Sequence, residues 1–292
     1  MQSEADRFAE LIRRHRPDFA FERADRMQSS GQFNTVLSID AKWIFRFPKS
    51  PGAAADLACE LEILPRLRGR LPLPIPEPCF HALDSESGEL LFMGYPLLPG
   101  EPLLREKFAE LKDDEALLER IAKDLALFLR TLHAIAPADL GLTTGKENAK
   151  DEWARIYADL REKLYPHMRS DAREALRRNF ETALNDADLW HAAECLIHGD
   201  FGTGNILYRD GRISGVIDFG FCGSGDPAQD LGALLASYGE PFGEQLLRHY
   251  PTLRAGLRRA RFYQSNYALI QALYALRDGD EAEFEDGMRD YV

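Results

Sequence analysis

The spacing of apolar residues changes character along this chain. Residues 33–39 and 43–47 are rich in β-branched and aromatic side chains, and Asp40, Ala41 and Lys42 lie between them. Two such runs about a short polar turn predict an antiparallel hairpin, preceded by a helix over 5–14. Over 53–67 the pattern turns helical, with Leu57, Leu61 and Leu64 on one stripe. Glu60 shares that stripe, and an inward carboxylate must meet a cation or strong donors because unpaired burial is costly. Glu62 projects from another face and is expected in solvent. Pro72, Pro74, Pro76 and Pro78 then enforce an extended connector, since each ring fixes φ and removes a donor. Residues 90–100 read as a buried strand running into a Pro/Gly-rich crossing segment, a natural place for a lobe boundary.

The second half is mainly helical. Leu118, Ile121, Leu125, Leu129 and Leu132 form one stripe with Asp113 or Asp114 as N-cap, and His133 at its end is expected to be structural. Amphipathic, strongly charged helices are expected within about 141–191, and helices follow again within 227–292, with Asp278-Gly279 as a stop. At 292 residues and 45% hydrophobic content the chain can bury one large core or two. The net charge of −12 opposes a duplex nucleic acid or anionic membrane partner. Carboxylates on a solvated surface account for it, and a cationic ligand is compatible with it. The start lacks the apolar stretch of a secretory signal, and no run reaches the roughly 18 apolar residues of a membrane span. The four cysteines form no C-x-x-C pair, so a cytoplasmic protein with reduced thiols is the simplest expectation.

The chemistry concentrates between the helical blocks. Residues 206–208 and 213–217 flank Asp210-Gly211, a strong hairpin-turn signal. Their pairing brings Asn205 and Asp218 to one open end, with Asp200 in the loop just before. Oxygen-bearing side chains at one mouth suit a hard divalent cation, and Mg²⁺ favours one or two carboxylates completed by substrate phosphates. Asn205 and Asp218 would hold the metal, Asp200 would accept a hydroxyl proton, and His198 would brace the loop.

His198, Asp200 and Asn205 match H-x-D-x-x-x-x-N, and Asp218-Phe219-Gly220 follows thirteen residues after Asn205. In this order and interval the two motifs resemble the aminoglycoside phosphotransferase family, relatives of the protein kinases. The likeness covers most of the chain; it is nearest the aminoglycoside 2''-phosphotransferases and extends to macrolide kinases. It implies an α+β, protein-kinase-like two-lobed fold: a small β-rich nucleotide-binding lobe over 1–95, and a larger, mainly helical catalytic and substrate-binding lobe over 96–292. It further implies ATP or GTP as phosphate donor, two Mg²⁺ ions and a small hydroxyl-bearing acceptor. The strand at 43–49 resembles the one that carries the family's phosphate-binding lysine, with Glu60 as helix partner and Pro96 to Leu98 as the hinge that meets the nucleobase. Read from its own residues, the polar loop with Ser30 and Gly31 is either an ordinary turn or one that brings backbone N–H groups to the phosphates.

Two departures stand out. Arg46 occupies the lysine position, with Lys49 three residues on, so Arg46 and Lys49 are both candidates to grip phosphate. Acceptor-binding carboxylates are expected after the metal aspartate, where Asp226, Asp230 and Glu240 are candidates. Tyr263, Tyr267 and Tyr274 either line a pocket for a bulkier acceptor or form an aromatic core. The acidic run over 278–286 is expected to be a solvated face. An aminoglycoside is the first acceptor implied; a macrolide or endogenous metabolite is the alternative, and a non-catalytic nucleotide-binding module, which Arg46 invites, is the third reading. No segment resembles a protein-kinase activation loop ending in A-P-E.

Overall fold

The computed structural model describes residues 3–27, 33–142 and 149–292. The chain divides into two compact units: residues 1–103 with 205–222, and residues 104–204 with 223–292.

The first unit opens with α1 (Glu4–His15), whose start is fixed by a Ser3/Asp6 capping box. Its main sheet comprises β1 (Ala24–Arg26), β2 (Asn34–Ile39), β3 (Trp43–Pro48), β4 (Phe80–Leu83) and β5 (Leu90–Pro96), all antiparallel, in the order β1-β2-β3-β5-β4. The turn between β2 and β3 places Asp40 and Ala41 at φ 51° and 52°. Asp40 tolerates this because its carboxylate accepts the Glu22 and Arg23 N–H groups at 3.1 and 2.8 Å. Between β3 and β4 lies α2 (Pro51–Leu67), which starts on a Ser50 cap and buries Leu57, Glu60, Ile63 and Leu64. The proline run is indeed a connector rather than a strand, and the Pro74 carbonyl receives the Val216 N–H at 3.0 Å.

A smaller sheet pairs β6 (Glu101–Pro102) with β8 (Ile206–Arg209), which forms a hairpin with β9 (Arg212–Val216). At its tip Asp210 and Gly211 sit at φ 50° and 80°, the primed turn that Asp-Gly specifies. These pairings carry the first unit past the expected boundary at 95/96, which falls at the end of β5, to Leu103. They also return residues 205–222 to it. The short edge strand at Glu101–Pro102 has no periodicity of its own, so sequence gave no sign of it.

The second unit holds α3 (Arg105–Leu111), α4 (Glu115–His133), α5 (Ala149–Lys163) and α6 (Ser170–Asn185). It continues with α7 (Ala228–His249), α8 (Leu257–Gln264), α9 (Tyr267–Asp278) and α10 (Glu281–Met288). Asp114 caps α4, and every leucine and isoleucine of its stripe is buried. Gly279, at φ 73°, ends α9 as expected. The acidic run beyond it is partly a helix: Asp280 caps α10, which turns its carboxylates outward and buries Met288. A two-stranded ribbon, β7 (Cys195–Ile197) with β10 (Gly223–Gly225), completes the unit. Among the described residues no helix is long and apolar enough to cross a membrane.

One packing constraint in the first unit is specific enough to test. Gly94 of β5 lies opposite Phe45 of β3, and a Cβ there would come within 2.7 Å of the fully buried Phe45 ring. The ring has little room to yield, because Phe19, Phe80 and Phe92 surround it. Gly94→Ala should therefore destabilise the chain by about 1–3 kcal/mol, measured as the shift in the denaturant midpoint at constant slope.

Candidate active site

In the first unit, Arg46 in the middle of β3 points toward α2 and is 6% exposed. One guanidinium nitrogen donates to Glu60 Oε2 at 2.6 Å and another to Asp218 Oδ1 at 2.8 Å. Glu60, fully buried, takes a further donor on its other oxygen, the Phe219 N–H at 3.2 Å. The inward Glu60 expected from periodicity is thus met by two donors. Two bonds also tie Asp218 and Phe219 to the β3–α2 pair.

Burial and pairing act against each other at this cluster. Burial alone would lower the Arg46 pKa, but Asp218 and Glu60 raise it. Burial pushes Glu60 up, and Arg46 and the Phe219 N–H only partly reverse that. The pair is ionised: a donor faces each Glu60 oxygen, the geometry of a carboxylate.

Asn205 and Asp218 meet at the open end of the hairpin, as expected, since the Ile217 N–H donates to the Asn205 carbonyl at 2.9 Å. Asp218 adopts φ 64°, a left-handed conformation that aspartate enters more readily than most residues. Its side chain stays 39% exposed while Phe219 beside it is fully buried. Lys49 lies past the end of β3, exposed, with its N–H on the Phe33 carbonyl; Arg46 is the residue that pairs with Glu60. Pro96 ends β5 opposite Trp43, the Leu97 N–H donates to the Lys42 carbonyl, and Leu98 is buried against Gly215. Ser30 and Gly31 lie outside the described residues.

In the second unit, the loop after β7 alternates buried and exposed side chains. His198 is fully buried, Asp200 is exposed, and Phe201 is fully buried with its ring stacked on Phe128. The Asp200 N–H points to His198 Nδ1 at 3.3 Å, so His198 sits where a brace would. Gly199, at φ 83°, supplies the sharp bend that a side chain would resist.

Asp230 holds this loop and needs a correction. It was expected to face an acceptor, yet it is fully buried and saturated from inside. Its carboxylate accepts the His198 and Gly199 N–H groups, both at 2.9 Å, and His133 Nε2 at 3.0 Å. His133 in turn meets the Tyr250 hydroxyl at 3.3 Å, which supplies the structural partner missing from the local sequence. Asp226 needs the same correction. It is 4% exposed, paired with Arg259 at 2.5 Å, and accepts the Tyr263 hydroxyl at 2.9 Å. Tyr263 is therefore core. The Tyr267 hydroxyl donates to the Gln229 carbonyl, and Tyr274 packs under the Arg277 guanidinium. Glu240 is exposed in part, but both its oxygens are bound by Arg261 at 2.8 and 3.0 Å.

The model of the phosphotransferase enzyme family matches residues 28–263. Viomycin phosphotransferase from Streptomyces vinaceus is 33% identical over 267 residues, spanning 89% of this chain and 90% of that protein. The chain belongs to this family. Membership was expected from the motifs at His198 and Asp218, and it makes the protein a phosphotransferase that uses a nucleoside triphosphate to modify a hydroxyl of a small molecule. Among solved structures, an aminoglycoside 2''-phosphotransferase in complex with GDP and kanamycin superimposes with a TM-score of 0.87 at 25% identity, over 97% of this chain and 96% of that one. A macrolide 2'-phosphotransferase from Brachybacterium faecium shares the fold, with a TM-score of 0.69 at 24% identity over 97% and 96% of the two chains. The kinase-like α+β fold expected from sequence is thereby established.

The burial of Asp230 has a measurable consequence. Burial alone would raise its pKa, but the His133 hydrogen bond, the nearby imidazoles and the His198 N–H outweigh that, and the net shift is downward. A carboxyl held below its ordinary value of 3.8 stabilises the folded state fully above that pH. The contribution fades as pH falls through the folded value. Asp230→Asn should cost about 3 kcal/mol at pH 7, and the gap to the parent chain should narrow below about pH 3.8, read from denaturant unfolding at both acidities.

Proposed function

We propose that this enzyme transfers the γ-phosphate of ATP or GTP to a hydroxyl of an aminoglycoside, with Asp200 accepting the hydroxyl proton. The observation that carries the reading is the state of the loop. Asp200 is exposed between fully buried His198 and Phe201, and Asp230 fastens the His198 and Gly199 N–H groups while the Phe201 ring stacks on Phe128, so an acid is presented on a rigid support. Such support is what general-base catalysis requires.

Asn205 and Asp218 suit Mg²⁺. They offer an amide and a carboxylate oxygen at one end of a hairpin, and a hard cation with few protein ligands leaves room for phosphate oxygens and water. When bound, the ion would offset phosphate charge as the transferred group develops its transition state. Arg46 would serve where the family has lysine. Its fork already spans Glu60 and Asp218, and the same planar donor set can grip phosphate. Pro96 and Leu98 would flank the nucleobase, and Lys49, Ser30 and Gly31 would approach the phosphates.

The likeness to a kanamycin-bound structure supports an aminoglycoside acceptor. The 33% identity to viomycin phosphotransferase supports viomycin as the second reading. Asp226 and Asp230 are consumed internally, so acceptor recognition must rest on other groups. Tyr267 is half-buried and hydrogen-bonded within its own unit, which weakens the case for an aromatic wall and hence for a macrolide.

Asp200→Asn should lower kcat by about 10²–10⁴-fold while nucleotide affinity changes by less than about threefold. The checks are steady-state turnover and calorimetric titration with the nucleotide. Turnover with kanamycin, viomycin and a macrolide, each with ATP and with GTP, separates the acceptor readings. Exclusive use of viomycin would replace the aminoglycoside assignment.

A further inference from the structure

Helix α7 carries a second polar side chain on the face that bears Asp230. Ser237 lies seven residues on, two helical turns, and so returns to the same side. Its Oγ accepts the Thr203 N–H at 3.1 Å, and a Cβ on Gly202 would come to 3.3 Å from that oxygen. Asp230 takes the N–H groups of His198 and Gly199, so Asp200 and Phe201 lie between two fastened stretches of backbone.

The end of this helical segment is itself fixed. Gly239, at φ 82° and ψ 169°, interrupts α7 two residues after Ser237. The Ala236 carbonyl is held from outside the helix, by an Arg105 guanidinium nitrogen at 2.8 Å. Ser237 therefore acts from a rigid platform.

We propose that Ser237 is a positioning residue for phosphoryl transfer: with Asp230 it fastens the loop bearing Asp200 at both ends, from one face of one helix. The proposal rests on the reading of Asp200 as proton acceptor. Gly199, Gly202 and Gly204 give this loop unusual backbone freedom, and the exposed Asp200 side chain moves with that backbone. Asp230 fixes the approach to Asp200, and the Phe201 ring fixes one side chain after it. The Gly202 N–H donates to the Asp200 carbonyl at 3.0 Å, so without the Thr203 bond a turn at Gly202 would carry Asp200 with it. Misplacement by about an ångström is enough to cost a large factor in rate.

The test compares Ser237→Ala, Ser237→Thr, Gly202→Ala and the Gly202→Ala/Ser237→Ala double variant, assayed with GTP, Mg²⁺ and the acceptor turned over fastest in the panel above. Amide hydrogen exchange at Thr203 is measured alongside, on the protein alone. Ser237→Ala should lower kcat about tenfold with the nucleotide KM within about twofold, and Thr203 exchange should accelerate. Ser237→Thr, which keeps the hydroxyl, should recover most of the rate. Gly202→Ala should slow the parent enzyme but add little in the Ser237→Ala background, because the oxygen it crowds is gone.

A Ser237→Ala enzyme within about twofold of the parent in kcat, or one impaired in KM alone, overturns the proposal. If the alanine variant does not fold, exchange in the parent chain still decides: a Thr203 amide as labile as that of exposed Gly204 overturns it. Exchange needs no acceptor. An Asp200→Asn enzyme of normal activity would strike the catalytic reading while leaving this bond to be judged separately.

Discussion

A buried guanidinium that must satisfy its charge organises the first unit. Arg46 is almost wholly removed from water, and a buried cation left unpaired would cost several kcal/mol. Its two carboxylate partners come from segments far apart in sequence, Glu60 on α2 and Asp218 beyond β9. Satisfying one side chain therefore fixes α2 against the sheet and the segment carrying Asp218 against both. The Phe219 N–H on Glu60 closes the loop of bonds, and Phe219 itself is sealed in the core. Arginine accomplishes this where a lysine would present a single point of charge, because its fork reaches two carboxylates at once.

The second unit obeys the same rule with the sign reversed. Asp230 is a buried anion, and the groups that satisfy it are two backbone amides of the loop before Asp200 and the imidazole of His133. The stability of α7 and the shape of that loop are thus one quantity. A carboxylate with three donors around it resists displacement, and Asp200 inherits that rigidity while remaining exposed. In each unit a buried ion, Arg46 or Asp230, holds in place the segment that carries a solvent-accessible carboxylate, Asp218 or Asp200.

Much of this was legible in the sequence, and the part that was not has a physical reason. The hairpin at Asp210-Gly211, the stripe of α4 and the inward Glu60 all follow from local periodicity or turn chemistry. The site motifs were readable because two short patterns occur at a fixed interval. Asp230 was misjudged, although the argument used for Glu60 applies to it: it shares a face with Leu234 and Tyr238 of α7, which the structure buries. Asp226 was misjudged because its partners, Arg259 and Tyr263, arrive from another helix, and no local pattern marks long-range pairing. The strands at Glu101–Pro102 and Gly223–Gly225 are too short to carry a period of two, so only their partners define them.

Asp218 is proposed to hold a cation, together with Asn205, when nucleotide arrives. The decisive measurement is a crystal structure of the chain with a non-hydrolysable ATP or GTP analogue and Mg²⁺. It should show a cation about 2.1 Å from an Asn205 side-chain oxygen and an Asp218 carboxylate oxygen, with Arg46 still paired to Glu60. A cation bound elsewhere, with Asn205 and Asp218 taking no part in holding it, would contradict this assignment.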